Sequence, residues 1–108
     1  MNNKELMDLA LKARENSYSP YSNFAVGAAL LAKNGKVYLG CNIENSSYTP
    51  TICAERVAFF KAVSEGVKEF EAIAIVGGKK SEEGRFCAPC GVCRQVMAEF
   101  CNKDFCFF

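Results

Sequence analysis

The sequence contains no histidine among its 108 residues, and this absence excludes several kinds of site. A Ser–His or Cys–His nucleophile pair needs an imidazole, and so does a metal centre with histidine ligands. Proton transfer near neutral pH must therefore fall to a carboxylate, a thiol, an amine or a tyrosine.

Long apolar runs and a strong net charge are also missing. No stretch approaches the roughly 18 apolar residues of a membrane span, and no apolar run follows a basic N-terminus. We therefore expect a cytoplasmic protein that is neither exported nor inserted in a membrane. The 13 basic and 12 acidic residues nearly cancel, so the chain lacks the positive field that nucleic acids or anionic membranes select. We expect a small, weakly charged substrate, with neither nucleic acid nor membrane as partner.

Cysteine, by contrast, is abundant. The seven cysteines are an odd number in a chain without a recognisable signal peptide, which favours reduced thiols over a disulfide framework. Some of these thiols are available to hold a metal. With half of its residues apolar, the chain is expected to form a single domain over residues 1–108.

Hydrophobic periodicity and turn residues predict seven elements in the order α, β, β, α, β, α, β. Asn2 or Asn3 caps the first helix, Asn34-Gly35 closes a hairpin between the first two strands, and Gly66 ends the second helix. The predicted helices cover 3–16, 52–65 and 90–101, and the predicted strands cover 24–32, 36–43, 71–78 and 104–108. This order predicts an α/β protein with a mixed sheet and helices on its faces.

Three cysteines fall at the predicted starts of two helices. Cys53 lies in the first turn of the second helix, and Cys90 and Cys93 lie in the first turn of the third. Helix N-termini favour the thiolate that binds metals, because their amides are unpaired and their dipole is positive. Three protein ligands with a fourth position open to water are typical of catalytic zinc. The alternative is that these cysteines are small buried hydrophobic residues.

The residues beside these thiols indicate how a zinc ion would be used. Three thiolates on a divalent cation leave one negative charge, so a nearby cation is needed for the ion to acidify water. Arg56 lies three residues after Cys53 on the same helical face, and Arg94 is a second candidate. Each is otherwise a solvated surface arginine. Glu55 is the only candidate proton shuttle, although its spacing from Cys53 does not by itself direct the two side chains the same way.

The cysteine spacing and its flanking residues resemble a known family. CAE at 53–55 followed by PCGVCRQ at 89–95 resembles the zinc nucleoside deaminases, specifically the small all-cysteine cytidine deaminases. PYSNFAVGAAL, GCNIENSSY and CAERVAFFKAVSEG resemble the branch that acts on free nucleosides. The resemblance implies a three-layer α/β/α fold and one Zn²⁺ as the only cofactor. It also implies hydrolytic deamination of cytidine and deoxycytidine to uridine and deoxyuridine, with release of ammonia, in pyrimidine salvage.

The resemblance implies a role for each motif residue. Cys53, Cys90 and Cys93 hold zinc; Arg56, from its spacing to Cys53, is expected to compensate the thiolate charge. Glu55 takes a proton from water and delivers protons to N3 and then to the departing amine of the cytosine ring. The residues implied to contact the substrate are Phe24, Asn42, Glu44, Ala54 and Tyr48.

The implied substrate contacts favour a nucleoside over a nucleotide. Phe24 packs against the pyrimidine, and Asn42 and Glu44 bind ribose hydroxyls; a carboxylate accepts hydrogen bonds from hydroxyls but repels a phosphate. Tyr48 reaches a neighbouring subunit's site, because family members commonly form homotetramers. Without the motif, Phe24 reads as a core residue, and Asn42 and Glu44 read as turn formers.

Two alternative hypotheses also include a zinc site: one concerns the C-terminus and the other concerns the substrate. Family members usually continue into further strands and a C-terminal helix, so we expect the fold without its last strand and helix. We also expect a homotetramer, or a dimer if the short C-terminus weakens assembly. The same ending supports a structural zinc module or an inactive deaminase-like subunit. The other hypothesis changes the substrate to another cytosine nucleoside such as blasticidin S, whereas Asn42 and Glu44 favour cytidine or deoxycytidine.

Redox sites are weaker alternatives. Cys87 extends the local pattern to C-x2-C-x2-C, which superficially resembles an iron–sulfur segment, but Met97 stands where that pattern needs a fourth cysteine. A thioredoxin-like CxxC would leave the CAE segment at Cys53 unexplained.

Metal analysis of the purified protein separates these hypotheses. We expect zinc and no absorption in the visible range, because Zn²⁺ is a d¹⁰ ion without redox chemistry. A brown protein that contains iron would contradict the zinc site.

Overall fold

The computed structural model describes residues 2–47, 51–79, 85–86, 91–101 and 106–107, with the backbone alone for 85–86, 91–93 and 106–107. No helix in these ranges is long and apolar enough to cross a membrane. The elements are α1 (Asn3–Arg14), β1 (Phe24–Ala32), β2 (Val37–Cys41), α2 (Ala54–Ser64), β3 (Phe70–Lys79), β4 (Arg85–Phe86), α3 (Gly91–Phe100) and β5 (Cys106–Phe107).

The strands form one mixed sheet, as the order of the elements predicts. β1 lies between β2 and β3 and pairs antiparallel with both. β4 and β5 lie along the other edge of β3, β4 antiparallel at Val76 and Gly77 and β5 parallel at Ala72 and Ile73. Parallel strands need a long crossover connection, and the segment between β3 and β5 contains α3.

Helices cover both faces of the sheet, which confirms the predicted three-layer α/β/α arrangement. Successive residues of a strand point to opposite faces. Leu30 of β1 belongs to a buried cluster with Phe59 of α2 and Met97 of α3. The neighbouring Ala29 belongs to a second cluster with Leu6 of α1. The core therefore consists of two apolar layers separated by the sheet.

Local signals correctly predict the cap of α1, the turn between β1 and β2, and the glycine after α2. Asn2 caps α1, since its Oδ1 accepts a hydrogen bond from the Glu5 N–H at 2.8 Å. α2 ends before Gly66, which has φ +89°, the conformation that favours glycine after a helix. Gly35 has φ +90° in the turn between β1 and β2, as the Asn-Gly signal predicts.

Two predictions about elements are wrong. α2 begins at Ala54, so Cys53 is its N-cap with φ −78° and ψ 152°, and does not lie in the first turn. The reason is that Ile52 pairs with Ile43 in an antiparallel bridge, which keeps the chain extended up to Cys53. The segment predicted as a loop before α3 contains the short strand β4, which pairs with an edge of β3 and has too few residues to show a period.

Two glycines let helices approach the sheet at backbone distance. A Cβ at Gly40 of β2 would lie 2.3 Å from the Ala54 carbonyl oxygen and 2.7 Å from the Ala58 nitrogen. A Cβ at Gly27 of β1 would lie 2.0 Å from the Ala10 carbonyl oxygen of α1. Each glycine therefore determines how closely one helix packs on the sheet, and Gly40 does so for the first turn of α2.

We expect Gly40→Ala to lower the free energy of unfolding by about 3 kcal/mol, because the added carbon must displace backbone atoms in a packed interior. Gly27→Ala should lower it by a similar amount. Gly35→Ala is the control: nothing lies within 4 Å of its Cβ position, so only backbone strain of about 1 kcal/mol applies. Urea unfolding measures all three. Equal midpoints for Gly40→Ala and Gly35→Ala would contradict the close contact.

Candidate active site

The start of α2 places a buried carboxylate beside a thiol. Glu55 is only 4% exposed and Ala54 is fully buried, while Cys53 is half-buried. Burying a carboxylate is costly unless the structure gives it partners, so chains rarely place a glutamate inside without a use for it. Glu55 is therefore not an ordinary surface residue of the helix.

Two β-bridges join the loops that surround this helix start. Tyr18 pairs with Ile43 in a parallel bridge, and Ile43 pairs with Ile52 in an antiparallel bridge. The Ile43 N–H donates to the Ile52 carbonyl at 3.0 Å, and the Ile52 N–H donates to the Ile43 carbonyl at 2.9 Å. The turn after α1, the segment after β2 and the residues that lead into α2 therefore form one connected unit.

Arg56 lies where the sequence spacing predicts. Its Nη2 donates a hydrogen bond to Cys53 Sγ at 3.7 Å, in a partly buried position. A guanidinium beside a sulfur stabilises the thiolate over the thiol, and thiolates are the soft ligands that zinc prefers. The Cys53 thiol does not accept a capping hydrogen bond from the helix amides. The donor chemistry at Cys53 therefore fits a zinc ligand.

The other predicted ligands are not tested. Cys90 and Tyr48 lie outside the described residues, and Cys93 is the third residue of α3, where only the backbone is described. Among the described side chains no group of three potential metal ligands occurs, as follows when two of the three predicted ligands are not among them. The three-thiolate site stays a prediction.

Two other cysteines differ from Cys53 in their surroundings. Burial raises the pKa of the Cys41 thiol, although the positive charge of Lys61 opposes the shift. Burial also raises the pKa of Cys101, to about 11. Both thiols therefore stay protonated near neutral pH, and a protonated thiol is a poor metal ligand. The CAE motif singles out Cys53 in the sequence, and the structure adds the burial of the other two thiols.

Phe24, the first residue of β1, is 40% exposed. It is therefore not the core residue that its position at a strand start would otherwise indicate. Tyr18, Tyr21 and Ile43 are also among the exposed large side chains, at 56%, 49% and 44%. The turn before β1 and the segment after β2 thus present aromatic and aliphatic surface.

The Asn42 side chain forms hydrogen bonds with three other residues. Its Oδ1 accepts a hydrogen bond from the Val26 N–H at 2.9 Å and a short one from the Ser17 hydroxyl. Its Nδ2 donates to the Phe24 carbonyl at 2.8 Å. Asn42 therefore holds the start of β1, a structural function that its prediction as a ribose ligand did not include.

Glu44 is held at both carboxylate oxygens. Its Oε1 accepts hydrogen bonds from the backbone N–H groups of Tyr21 and Ser22, at 3.0 and 3.1 Å. Its Oε2 accepts a short hydrogen bond from the Ser22 hydroxyl. The carboxylate therefore fixes the turn before β1 and has a defined orientation at the protein surface.

Arg14 is a residue of this region that the sequence analysis missed. At the end of α1, its guanidinium donates to the carbonyls of Ala25, Gly78 and Lys79, at 2.9, 3.0 and 2.6 Å. It thereby fixes the start of β1 beside Phe24 and the end of β3. A basic residue in the last turn of a helix normally reads as a helix-dipole partner, so no local signal predicts these contacts.

Comparisons with known proteins show which proteins this chain resembles. The chain matches the family described as the cytidine and deoxycytidylate deaminase zinc-binding region over residues 1–108. It is 59% identical over 102 residues to the cytidine deaminase of Sporosarcina psychrophila, and the match covers 94% of this chain and 72% of that protein. It is 55% identical over 104 residues to the cytidine deaminase of Halalkalibacterium halodurans, and this match covers 96% of this chain and 76% of that protein.

Solved structures show the same architecture. The crystal structure of cytidine deaminase from Mycobacterium tuberculosis superposes with a TM-score of 0.91 at 39% sequence identity. The superposition covers 100% of this chain and 85% of that one.

We expect Arg56→Gln to weaken zinc binding about tenfold or more, because loss of a hydrogen-bond donor to a ligand typically costs 10–100-fold in metal affinity. Competition against a chromophoric chelator measures the affinity. The control is Lys61→Gln, which removes one positive charge from the same helix; Lys61 donates to the Leu39 carbonyl and not to Cys53. Equal zinc affinity in the two variants would contradict the role of Arg56.

Proposed function

The chain belongs to the cytidine and deoxycytidylate deaminase zinc-binding family, and from this we propose that it deaminates cytidine and deoxycytidine hydrolytically. The products are uridine or deoxyuridine and ammonia. The observation that carries the proposal is the buried Glu55 two residues after Cys53, whose sulfur accepts a hydrogen bond from Arg56. Relatives at 59% and 55% identity that carry the name cytidine deaminase support the substrate class.

Three cysteines would hold the metal. Cys53 has donor chemistry that fits zinc, and we propose that Cys90 and Cys93 complete the ligand set. The family's description as a zinc-binding region implies the ion. When bound, zinc supplies a Lewis acid that makes water sufficiently acidic to attack a ring carbon at neutral pH. Arg56 lowers the net negative charge that three thiolates would create.

Glu55 moves the protons of the reaction. One carboxylate oxygen takes a proton from the attacking water as the bond between oxygen and C4 forms, and the carboxyl group delivers this proton to N3 of the ring. A second proton passes from the new hydroxyl at C4 through Glu55 to the amino group as the C4–N bond breaks, so the C4 oxygen becomes a carbonyl and ammonia departs. Because Glu55 is 4% exposed, bulk water does not compete for these protons.

We propose that the substrate lies between the start of β1 and the start of α2. The exposed Phe24 ring packs on the pyrimidine, and the fully buried Ala54 contributes backbone. Asn42 uses two acceptor positions and one N–H within the protein, so it offers a ribose hydroxyl one N–H. Glu44 accepts from the other sugar hydroxyl, and its charge disfavours a nucleotide phosphate.

We further propose a homotetramer that acts in the cytoplasm, in pyrimidine salvage. The exposed side chains of Tyr18, Tyr21 and Ile43 provide apolar surface of the kind that subunit interfaces cover. Tyr48 would then reach the site of a neighbouring subunit. Thiolate ligands also require a reducing compartment.

We expect Glu55→Gln to retain zinc and to lose about 10²- to 10⁴-fold in kcat with cytidine, because that is the usual contribution of a positioned acid–base group. Conversion to uridine is followed by ultraviolet absorbance, and zinc by elemental analysis. The control is Glu65→Gln, an exposed residue at the other end of α2, which should react as the wild type does.

Normal turnover by Glu55→Gln would show that Glu55 is not the shuttle. A wild-type protein that binds zinc and does not convert cytidine would instead support a structural zinc module.

A further inference from the structure

The Ser22 hydroxyl connects two residues that contact different parts of the substrate in the proposed function. It donates a short hydrogen bond to Glu44 Oε2, and its oxygen accepts a hydrogen bond from the Phe24 N–H at 3.1 Å. Glu44 is proposed to bind the sugar, and Phe24 the base. One exposed hydroxyl thus lies between the two binding groups.

We propose that Ser22 is a positioning residue for nucleoside binding, which fixes the sugar-binding carboxylate and the base-stacking ring relative to each other. The inference rests on the proposed function, because it assigns Ser22 a role through Glu44 and Phe24. Ser22 is not among the substrate-contacting residues that the resemblance implies.

Ser22 contributes to the orientation of Glu44. The two backbone N–H donors of the turn both bind Oε1. The Ser22 hydroxyl binds Oε2 and so restrains the second carboxylate oxygen as well. A carboxylate oxygen accepts more than one hydrogen bond, so Oε2 retains room for a sugar hydroxyl while it is held by Ser22.

Phe24 depends on Ser22 for the position of its backbone. Asn23, between the two residues, has φ 58°, in the left-handed region that non-glycine residues rarely adopt. The Ser22 oxygen accepts from the Phe24 N–H on one side, and the Phe24 carbonyl accepts from Asn42 on the other. Because the ring is 40% exposed, core packing fixes it only in part, and these two bonds act together with the pairing of Phe24 and Lys79 to place the backbone from which the ring projects.

The turn does not need the Ser22 hydroxyl in order to close. The Asn23 N–H donates to the Ser19 carbonyl at 3.0 Å, and Ser19 is 1% exposed. The backbone amides of Tyr21 and Ser22 still bind Glu44 Oε1 when the hydroxyl is removed. Loss of the hydroxyl should therefore affect ligand binding more than stability.

The test compares nucleosides with and without sugar hydroxyls. For Ser22→Ala we expect kcat/KM with cytidine to fall about tenfold, mainly through KM, since a uniform binding contact changes KM. A tenfold change equals about 1.4 kcal/mol. With 2′,3′-dideoxycytidine, which offers Glu44 no hydroxyl, the loss should be threefold or less.

Two variants control the comparison. Ser22→Thr keeps a hydroxyl and should restore most of the cytidine activity. Ser64→Ala removes an exposed serine hydroxyl that bonds the Lys61 carbonyl at the other end of α2, and it should match the wild type with both nucleosides. The melting temperature of each variant checks that folding is unchanged.

Equal losses with the two nucleosides, or no loss in Ser22→Ala, would overturn the role of Ser22. A wild type that does not convert cytidine contradicts the proposed function instead. In that case calorimetric binding of uridine and 2′,3′-dideoxyuridine decides about Ser22 by the same difference between the two ligands. If the wild type binds neither ligand, both the proposed function and the role of Ser22 are wrong.

Discussion

The close packing of α2 on β2 is the constraint on which the site depends. At Gly40 the helix backbone occupies the space that a side chain would need, with the Ala54 carbonyl oxygen 2.3 Å from the Cβ position. This approach carries Glu55 into the interior, where it is shielded from water, and leaves Cys53 half-buried at the helix start. A wider separation between helix and strand would solvate the carboxylate, and proton transfer would then compete with bulk water.

The proposed substrate-binding residues are also structural residues. The Asn42 side chain bonds the Val26 N–H and the Phe24 carbonyl at the start of β1. Glu44 closes the turn that precedes this strand. Groups that are already held by hydrogen bonds lose little freedom when a ligand binds, so their orientation does not have to be created at that moment. The same bonds mean that replacing Asn42 or Glu44 removes support from Phe24 as well as a contact with the ligand.

Much of the fold followed from local chemistry. The cap at Asn2, the turn at Gly35 and the end of α2 at Gly66 each depend on residues close in sequence, so their patterns predicted them. The start of α2 and the strand β4 depend on pairing with segments distant along the chain, Ile52 with Ile43 and β4 with β3. Hydrophobic periodicity carries no information about such partners. This is why the start of α2 was predicted wrongly and β4 was predicted as a loop.

By itself, the sequence determined the order of the described elements except for β4, the family resemblance and the residue types available for chemistry. The spacing of three along a helix also predicted that Arg56 faces Cys53, because helical geometry relates nearby positions directly. Only the tertiary structure decided that Glu55 is buried, that burial keeps thiols such as Cys101 protonated, and that Ser22 lies between two binding residues. Burial and contacts of this kind depend on segments far apart in the chain, and no local pattern specifies them.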